Sequence, residues 1–253
     1  MSRPVLVIPA AGLGSRLGAK VPKLLVPVGG IPMIDRLERL YKEVVSRIVL
    51  VVHPSFEVAL RHHVSSWGTP AECVVQRQPT GMLDAIMLAT NPVRAAAGDG
   101  VWITWCDQVA VHPSTVRTLV STSVANPEAA LVIPTVRRRA PYIHLERGDG
   151  GRILRVLHRR EGDAMPDVGE SDMGLFALSP MAYLELLPQY ERDVAIGHLT
   201  NERNFLPFIS WAASRHDVVT FPSVDEEEAI GVNTPEELVI VERYLAKRDG
   251  SPA

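Results

Sequence analysis

Residues 5–33 read VLVIPAAGLGSRLGAKVPKLLVPVGGIPM, and this stretch decides how the rest of the chain is interpreted. Its first residues form an apolar run that predicts a buried β-strand. Gly12 and Gly14 follow directly, and glycine permits positive φ and close backbone approach, so consecutive N–H groups can surround a phosphate chain. Arg16 and Lys23 then add positive charge. The stretch therefore predicts an anion-binding loop after the first strand.

Two other kinds of phosphate loop fail by their spacing. The Rossmann dinucleotide motif needs G-x-G-x-x-G, but counted from Gly12 the third glycine comes one place late, at Gly18. A Walker loop needs Gly-Lys-Ser/Thr after four spacer residues, and Lys20 follows Ala19 instead. The missing third glycine also disfavours a nicotinamide dehydrogenase.

The composition limits the partners and the compartment. With 26 basic and 29 acidic residues the chain has a formal net charge of −3, so no overall field would hold it on nucleic acid or an anionic membrane. The first apolar run is too short for the core of a signal peptide, and no stretch is long enough for a transmembrane helix. Cys73 and Cys106 lack the spacing of metal ligands. We expect a cytoplasmic protein.

Apolar runs rich in β-branched residues alternate with segments of helical period in the first half of the chain. Strand and helix repeated in this way predict an α/β fold with a mostly parallel sheet and right-handed crossovers. The predicted strands are Val5–Pro9, Ile48–Val52, Cys73–Gln76, Val101–Cys106 and Ala130–Pro134. The segments that place apolar residues three and four apart, as a helix covering a sheet requires, are 32–45, 55–67, 81–93 and 113–124.

The second half of the chain is less regular. Residues 140–160 alternate about a Gly-Asp-Gly-Gly turn, which predicts a β-hairpin. Residues 174–180 and 218–223 predict further strands, and residues 202–215 have helical period. We interpret this half as an extension of the same sheet that forms the second wall of a cleft.

The stretch AAGLGSRLGAKVPKLLVPVGGIPM resembles the signature of the nucleotidyltransferases that join an NTP to a sugar 1-phosphate, A-A-G-x-G-x-R followed by P-K-x-L-x-P-V-x-G-x-P-M. The resemblance implies a single Rossmann-like (GT-A-like) domain with a mixed, mostly parallel central sheet flanked by helices. It implies a nucleotide-binding half over residues 1–110 and an acceptor-binding half over residues 111–253, of which residues 248–253 have the composition of a frayed tail. The expected substrates are UTP and a sugar 1-phosphate.

The segment VVQRQPTGMLDAIMLA resembles the base-recognition segment of this family, in which a glutamine reads a pyrimidine and a T-G loop closes over base and ribose. Gln76, Thr80 and Gly81 occupy these places. Gln76 also ends a predicted strand, and its amide offers a donor and an acceptor that can pair with uracil. The other residues that the resemblance assigns to the nucleotide are Ala10, Ala11, Gly12 and Gly14.

The expected metal ligands stand in two separate segments. Asp107 ends the apolar segment VWITWCDQ, at the edge where open α/β sheets bind ligands, and a carboxylate there suits Mg²⁺. In the family that this sequence resembles, the metal-binding aspartate stands at the place of Asp107. The asparagine of the family's G-V-N segment completes the metal site, and Asn233 stands at its place. Thr234, Pro235 and Glu237 already supply a capping box with proline at the first helical position, so the helix start does not require Asn233.

These residues suffice for an in-line transfer without a covalent nucleophile. An oxygen of the sugar phosphate would attack the α-phosphorus of the NTP and expel pyrophosphate, so catalysis consists of positioning and charge neutralisation. Mg²⁺ is assigned to the α-phosphate oxygens and Arg16 to the departing phosphates. Lys23 is assigned to the phosphate of the incoming sugar and to the charge that grows at the α-phosphorus.

The acceptor region departs from the family. Members that use N-acetylglucosamine 1-phosphate carry Gly-Tyr-Gly-Arg in the hairpin, where residues 141–144 read PYIH. A glutamate usually follows on the returning strand, where Leu157 and His158 stand. The segment GESDMGLF resembles the E-x-N-x-G strand of the family, with an aspartate where asparagine is expected. The residues expected to bind the acceptor are Tyr142, Glu170 and Asp172, whose acids could bind sugar hydroxyls or an amino group.

Several alternatives stay open. A member of the same superfamily could transfer CMP or GMP to a non-sugar phosphorylated acceptor, and a non-catalytic nucleotide sensor could use the same fold. The Q-x-x-x-T-G and G-V-N segments favour the sugar branch, and the full set of Arg16, Lys23, Asp107 and Asn233 argues against a sensor. The basic run 158–160 is interpreted as a solvated face. Helix faces rich in Val and Leu fit a dimer interface and core packing equally, so a homo-oligomer remains open.

Overall fold

The computed structural model describes residues 3–12, 17, 21–96 and 98–250. Runs of Val, Ile and Leu form its buried strands, because such side chains pack well on a pleated surface. In chain order the strands are β1 (Val5–Ala10), β2 (Pro27–Val28), β3 (Ile31–Pro32), β4 (Arg47–Val52), β5 (Ala71–Val75), β6 (Val101–Thr104), β7 (Leu131–Arg139), β8 (Ile143–Arg147), β9 (Ile153–His158), β10 (Val168–Asp172), β11 (Leu175–Leu178) and β12 (Val218–Pro222).

Eight of these strands form one central sheet in the order β10-β7-β11-β6-β1-β4-β5, with β12 paired to β7. β1 is parallel to β4 and β6, and β4 is parallel to β5. β11 is antiparallel to both β6 and β7, β10 is antiparallel to β7, and β12 is parallel to β7. Only β10 and β11 therefore run against the other strands of this sheet, which confirms the predicted mixed, mostly parallel α/β fold.

Helices cover both faces of the sheet. Successive side chains of β1 point to opposite faces, so Leu6 and Ile8 belong to one apolar cluster and Val5 and Val7 to another. Helices α1, α2, α5 and α8 pack on the first cluster, and α3, α4, α6 and α7 on the second. The helices are α1 (Met33–Tyr41), α2 (Glu57–Val64), α3 (Met82–Leu88), α4 (Thr90–Ala96), α5 (Pro113–Ala125), α6 (Leu187–Asp193), α7 (Phe208–Ala213) and α8 (Pro235–Arg248).

Two predicted helices differ from the observed ones. The segment 81–93 is divided into α3 and α4, and the hydroxyl of Thr90 donates to Met87 O at 2.6 Å beside the break. Such a bond competes with the helical backbone pattern. The segment 202–215 is helical only over Phe208–Ala213, directly after Pro207. Residues 182–193, which the sequence left unassigned, form a π-helical turn followed by α6.

The predicted hairpin forms, but it does not extend the central sheet. β8 and β9 pair with each other as a separate two-stranded sheet, with a register irregularity between Glu146 and Arg147. β10, which the sequence did not predict as a strand, takes the place beside β7 instead. The hairpin packs next to β10 and so forms a wall beside the sheet.

The end of α8 corrects the expected tail. Arg248 is the last residue of this helix, and its guanidinium donates to the backbone carbonyls of Ala110 and Val111 at 3.5 and 3.2 Å. The predicted frayed segment therefore cannot begin at Arg248. Among the helices of the described residues, none is both long and apolar enough to cross a membrane.

Candidate active site

The candidate site lies at the carboxyl edge of the parallel strands. β1, β5 and β6 are in the same parallel part of the sheet, so the residues that follow them meet at one edge. Ala11 and Gly12 follow β1, Gln76 follows β5, and Asp107 comes shortly after β6. A first cavity of about 430 Å³ opens here, and the predicted site residues that line it are Ala10, Ala11, Gly12, Lys23, Gln76, Gly81, Asp107 and Asn233.

Three of these side chains meet in direct contact. Lys23 Nζ donates to Asp107 Oδ2 at 2.8 Å and to Asn233 Oδ1 at 2.8 Å. The Lys23 and Asp107 side chains are only 12% and 14% exposed, so their attraction is screened by solvent less than that of a surface pair. Residues that are 84 and 210 positions apart in the chain thus form one polar cluster.

The start of α8 positions Asn233 in this cluster. Thr234 Oγ1 accepts from Glu237 N while the Glu237 carboxylate accepts from Thr234 N, which confirms the predicted capping box. The same Glu237 carboxylate accepts from Asn233 N at 2.7 Å, and Val232 N donates to Asp107 O at 3.1 Å. The cap therefore fixes the Asn233 backbone next to Asp107, while the Asn233 side-chain oxygen contacts Lys23.

The donor set of this cluster fits the expected Mg²⁺. A carboxylate oxygen of Asp107 and an amide oxygen of Asn233 already converge on one cationic group, the Lys23 ammonium. No group of three His, Cys, Asp or Glu residues gathers for a metal within the described residues. Mg²⁺ commonly takes one or two protein carboxylates and completes its shell with substrate phosphates and water, so two protein oxygens match this pattern.

A second cavity of about 390 Å³ adjoins the first. Asp107 and Asn233 line both cavities, so the polar cluster lies at their junction. Arg160 and Glu202 also line both, and Arg160 Nη2 lies 3.9 Å from Glu202 Oε1. Arg160 is exposed, in keeping with the interpretation of the basic run 158–160 as a solvated face, and it also faces the cavities. Arg160 belongs to none of the sequence motifs, so its position beside the cavities is evident only from the fold.

The predicted base-recognition residues separate into two groups. Gln76 is 6% exposed, and its Nε2 donates to Gly81 O at 3.2 Å. Gly81 has φ +129°, and a Cβ there would lie 2.5 Å from both the N and the O of Arg203, so the position requires glycine. Thr80 is exposed and does not line the first cavity; its carbonyl accepts from Arg203 N at 2.9 Å. The structure thus brings Gln76 and Gly81, but not Thr80, to the cavity.

The glycine-rich loop is described only in part. Gly12 does not adopt the left-handed conformation that glycine permits, so positive φ is the wrong reason for glycine there, and close backbone approach to a ligand stays a prediction. A Cβ on Gly12 would meet no atom of the described residues within 4 Å, so none of these residues fills the space beside the first cavity. Gly14 and Arg16 lie outside the described residues.

Asp172 lines the second cavity, at the end of β10. Its Oδ1 accepts from Gly174 N at 2.8 Å, and burial raises the pKa of its carboxyl to about 6. Gly174 has φ +68°, and a Cβ there would lie 2.4 Å from Trp105 Cδ1, so the turn after Asp172 packs tightly against Trp105. Asp172 is therefore a partly buried acid whose charge changes at a pH of about 6.

Glu170, the second predicted acceptor acid, lies elsewhere. Both of its carboxylate oxygens accept from Arg147 at 2.7 Å, and Arg147 also donates to Thr220 Oγ1 at 2.8 Å. The Arg147 guanidinium and other hydrogen bonds keep the pKa of Glu170 below its usual value despite burial, which acts in the opposite direction. Glu170 lines neither cavity, so the structure does not bring it together with Tyr142 and Asp172; through Arg147 it joins β10 to β8 and β12.

Tyr142 and His158 line the second cavity on the hairpin side. The Tyr142 side chain is 47% exposed, and its ring meets the His158 ring edge-on with centroids 5.3 Å apart. Burial, the largest influence, lowers the pKa of His158, so its imidazole is neutral at pH 7. The pair offers hydrogen-bonding groups without a fixed charge. Other lining residues that sequence reasoning did not single out are Gln108, Arg138 and Asn204.

The neighbouring Glu161 holds the loop that carries Glu202. Its carboxylate accepts from the Thr200 hydroxyl, from Leu199 N at 3.0 Å and from Asn204 Nδ2 at 3.0 Å. These hydrogen bonds lower the pKa of Glu161 to about 2, with the Thr200 bond the strongest cause. Glu161 is thus ionised at neutral pH and fixes one edge of both cavities.

Comparison with protein families and curated proteins gives consistent matches. The family model described as "MobA-like NTP transferase domain" matches residues 6–202. The "Bifunctional protein GlmU" of Thermotoga petrophila is 27% identical over 243 residues, which cover 94% of this chain and 51% of that protein. The protein of the same name from Brevibacillus brevis is 26% identical over 253 residues, covering 98% and 53%. The chain thus spans about half the length of the curated relatives it matches.

Solved structures match over nearly the whole chain. The inositol-1-phosphate CTP transferase from T. maritima superposes with a TM-score of 0.72 at 15% identity, covering 100% of this chain and 99% of that chain. HddC from Yersinia pseudotuberculosis superposes with a TM-score of 0.68 at 18% identity, covering 97% and 100%. At these identities the likeness shows the fold alone, and that fold is the one described above.

Proposed function

Because the chain belongs to the family of MobA-like NTP transferase domains, we propose that it transfers UMP from UTP to a sugar 1-phosphate and releases pyrophosphate. We propose further that it does so as a single nucleotidyltransferase domain. The observation that carries the proposal is the contact of Lys23 with both Asp107 and Asn233 at the junction of two cavities. A transfer between two bound molecules needs such a junction, with charge-neutralising groups where the two reacting phosphates meet.

The first cavity would hold the nucleotide. Ala10, Ala11 and Gly12 line it at the end of β1, and none of the described residues would block the approach of a phosphate to the Gly12 backbone. Gln76 lines the same cavity after β5 and would face the base. Arg16 is assigned to the departing β- and γ-phosphates through the sequence motif alone, since it lies outside the described residues.

The junction would carry out the transfer. Asp107 and Asn233 would hold Mg²⁺, which supplies neutralising charge for the α-phosphate when it is bound. The Lys23 ammonium reaches the same two oxygens at 2.8 Å, so it stands close enough to that position to contact the acceptor phosphate or the α-phosphate. No side chain has to form a covalent intermediate, because the acceptor phosphate is itself the nucleophile.

The second cavity would hold the acceptor. Tyr142, His158 and Asp172 line it and offer hydrogen-bonding groups to sugar hydroxyls. Arg160 lines both cavities, which supports a contact with the acceptor phosphate near the junction. An amino group on the sugar would find an ionised Asp172 above a pH of about 6.

A second candidate, transfer of CMP from CTP, fits the orientation of Gln76 equally well. Gly81 O can only accept, so the Gln76 Nε2 must face it, and Oε1 is directed elsewhere. That oxygen can accept from N3–H of uracil or equally from the amino group of cytosine. The orientation of Gln76 therefore does not distinguish uracil from cytosine, and the assignment to UTP relies on the family resemblance of its segment.

The proposal is tested by pyrophosphate release. Purified protein would be mixed with Mg²⁺ and UTP, dTTP, CTP, ATP or GTP, each crossed with hexose, hexosamine and pentose 1-phosphates and with inositol 1-phosphate. We expect release that requires both substrates and is strongest with UTP and a sugar 1-phosphate. Thermal stabilisation by nucleotide without pyrophosphate release from any pair would contradict the proposal and favour a sensor.

A further inference from the structure

One charged side chain in the second cavity differs from the others. Most charged side chains of this cavity have a polar partner within the described part of the chain. Asp107 pairs with Lys23, and Arg160 lies near Glu202. The Asp172 carboxylate accepts from Gly174 N, and Glu237 caps α8. Arg138 also lines this cavity, yet among the described residues its guanidinium has neither a hydrogen-bond acceptor nor a carboxylate at ion-pair distance.

The strand that carries Arg138 presents it to the cavity by its register. β7 contains three consecutive arginines, and side chains along a strand alternate between faces. Arg137 and Arg139 are exposed, whereas Arg138 is partly buried. The residue opposite Arg138 on β10 is Gly169, which has no side chain that could pair with the guanidinium. Within the described residues, Arg138 is therefore held toward the cavity without a hydrogen-bonded partner.

Asp172 is the acid of the same cavity that Arg138 influences from a distance. Burial has the largest effect on the pKa of Asp172 and raises it, whereas the attraction of Arg138 acts in the opposite direction. The Asp172 carboxylate is directed to Gly174 N instead of to the guanidinium. The hydrogen-bond donors of Arg138 thus remain available to a ligand in the cavity.

A guanidinium in this position favours an oxyanion. Arginine stays charged at all relevant pH values, and its planar fork binds carboxylates and phosphates through two parallel hydrogen bonds. Partial burial removes some of its hydration, so an anionic partner would restore the lost interactions. Hydroxyl groups of a neutral sugar could accept from it but would leave its charge uncompensated.

Arg138 lies away from the place where the two reacting phosphates would meet. They must meet at the junction, where Lys23, Asp107 and Asn233 lie and where Arg160 lines both cavities. Arg138 lines only the second cavity. An anion bound by Arg138 would therefore belong to a part of the acceptor away from the phosphate that attacks.

We propose that the acceptor carries a second anionic group, a carboxylate or a second phosphate, and that Arg138 binds it. This inference rests on the proposed function, because it assumes that the second cavity holds the acceptor. Arg138 would then act as a specificity-determining residue that distinguishes an acidic sugar 1-phosphate from its neutral counterpart.

Matched acceptors test the charge directly. Glucuronic acid 1-phosphate differs from glucose 1-phosphate in the carboxylate at C6, and glucose 1,6-bisphosphate places a phosphate there; galacturonic acid 1-phosphate and galactose 1-phosphate form a second pair. Charge-assisted hydrogen bonds of this kind typically change affinity by about ten- to a hundredfold. We expect kcat/KM to be higher by about this factor for one acidic acceptor than for its neutral counterpart. The acidic acceptor with the highest kcat/KM then shows whether the second anionic group is a carboxylate or a phosphate.

Variants then assign the preference to Arg138. In Arg138→Gln the KM of the acidic acceptor should rise by about ten- to a hundredfold with little change in kcat, and the KM of the neutral acceptor should stay constant. Arg138→Lys, which keeps the charge, should recover part of the preference. Arg139→Gln is the matched control, because it removes an exposed arginine from the same strand, and it should behave as the wild type.

A binding readout separates this inference from the proposed function. The melting temperature would be measured with each sugar phosphate alone, without nucleotide. Greater stabilisation by an acidic acceptor that disappears in Arg138→Gln supports the inference even if no pyrophosphate is released. Equal kcat/KM and equal stabilisation for the acidic and neutral members of every pair overturn it, and pyrophosphate release in that case leaves the proposed function standing.

Discussion

Lys23 Nζ lies 2.8 Å from Asp107 Oδ2, although 84 positions separate the two residues in the chain. The loop after β1 supplies the ammonium and the turn after β6 supplies the carboxylate, and these parallel strands are neighbours in the sheet. The contact also includes Asn233 Oδ1, at 2.8 Å from the same nitrogen. A cation and two metal-type oxygens are thus held together where the two cavities meet, and several consequences can be measured.

Removal of the Lys23 ammonium should reduce turnover far more than it reduces stability. Deletion of one preorganised charged contact typically raises a barrier by about 2.7 to 4 kcal/mol, so Lys23→Ala should lower kcat about a hundredfold or more. Pyrophosphate release under saturating substrates measures this. Lys42→Ala, at an exposed lysine after α1, is the control and should keep the wild-type rate. A Lys23→Ala enzyme with a near-native rate would remove Lys23 from the mechanism.

The metal requirement should depend on the Asp107 carboxylate. Chelation by EDTA should abolish turnover, and excess Mg²⁺ should restore it. Asp107→Asn keeps the shape of the side chain but removes its charge, so the Mg²⁺ concentration at half-maximal rate should rise about tenfold or more. Asp99→Asn, outside both cavities, should leave the Mg²⁺ titration unchanged. Identical titrations for wild type and Asp107→Asn would argue against this ligand.

Alanine substitutions at Gly81 and Gly12 should differ in their effect on the free energy of unfolding. In Gly81→Ala the new Cβ would lie 2.5 Å from the Arg203 backbone at φ +129°, so the free energy of unfolding should fall by about 2 to 4 kcal/mol. The added methyl group of Gly12→Ala meets no atom within 4 Å in the part of the chain that the structure describes, so stability should change by less than about 0.5 kcal/mol. Its methyl group would narrow the first cavity and raise the KM of the nucleotide. Urea denaturation and NTP kinetics measure both effects, and equal stability losses would contradict this description of the loops.

Asp172 should make stability depend on pH in a defined direction. Burial raises its pKa from 3.8 to about 6 in the folded protein, so the protonated acid stabilises the fold. That contribution is fully present below about pH 4 and is lost as the pH rises through about 6. Asp172→Asn cannot ionise, so relative to wild type it should gain up to about 3 kcal/mol between these pH values.

Urea denaturation of wild type and Asp172→Asn at pH 4.5 and at pH 7.5 measures this difference. Other titrating groups are common to both proteins, so they cancel in the comparison. The amide oxygen that Asp172→Asn introduces can still accept from Gly174 N, which keeps the turn intact in the variant. A stability difference that is the same at both pH values would show that Asp172 titrates as an ordinary surface acid.

The buried Glu228 should stabilise the segment that leads to Asn233. It is fully buried, and its carboxylate accepts from His112 N, Thr115 Oγ1, Val224 N and Asp225 N at 2.7 to 3.1 Å. Glu228→Gln replaces an accepting oxygen by an NH₂ group, so one donor loses its partner at a cost of about 1 to 3 kcal/mol. Chemical denaturation measures it, with the exposed Glu226→Gln as control. Equal stability of the two variants would contradict this role.

The parallel half of the sheet could be predicted from sequence because its strands are continuous apolar runs. β1 and β4 were predicted to within one residue at each end. β6 ends at Thr104 instead of Cys106, because Trp105 N donates to Gly174 O instead of continuing the ladder with β1. A strand end depends on such a partner, and Gly174 is too distant in sequence for a local pattern to indicate it.

The candidate site could be predicted from sequence where a polar side chain directly follows a predicted strand. Gln76 and Asp107 follow strands, and the capping box around Thr234 left the Asn233 side chain available for the cluster with Lys23. Motifs and strand ends are local features, and the fold then brings them to one edge. Both residues line the first cavity.

The second cavity could not be predicted in the same way. Arg138 and Arg160 belong to no motif, and a charged residue on a strand or turn is ordinarily solvated. The sequence predicts that Glu170 binds the acceptor, yet the hairpin lies next to β10 and its Arg147 donates to both oxygens of the Glu170 carboxylate. Contacts of this kind depend on which strands become neighbours, and β10 itself was not predicted as a strand.

The most direct measurement follows the α-phosphorus itself. UTP labelled at the α-phosphate would be incubated with Mg²⁺ and the acceptor that gives the fastest pyrophosphate release, and the labelled products would be separated. We expect the label in a sugar linked to uridine through a diphosphate, formed by wild type and lost in Lys23→Ala. Label that remains in UTP, or that appears only as UMP, would contradict transfer at the junction of Lys23, Asp107 and Asn233.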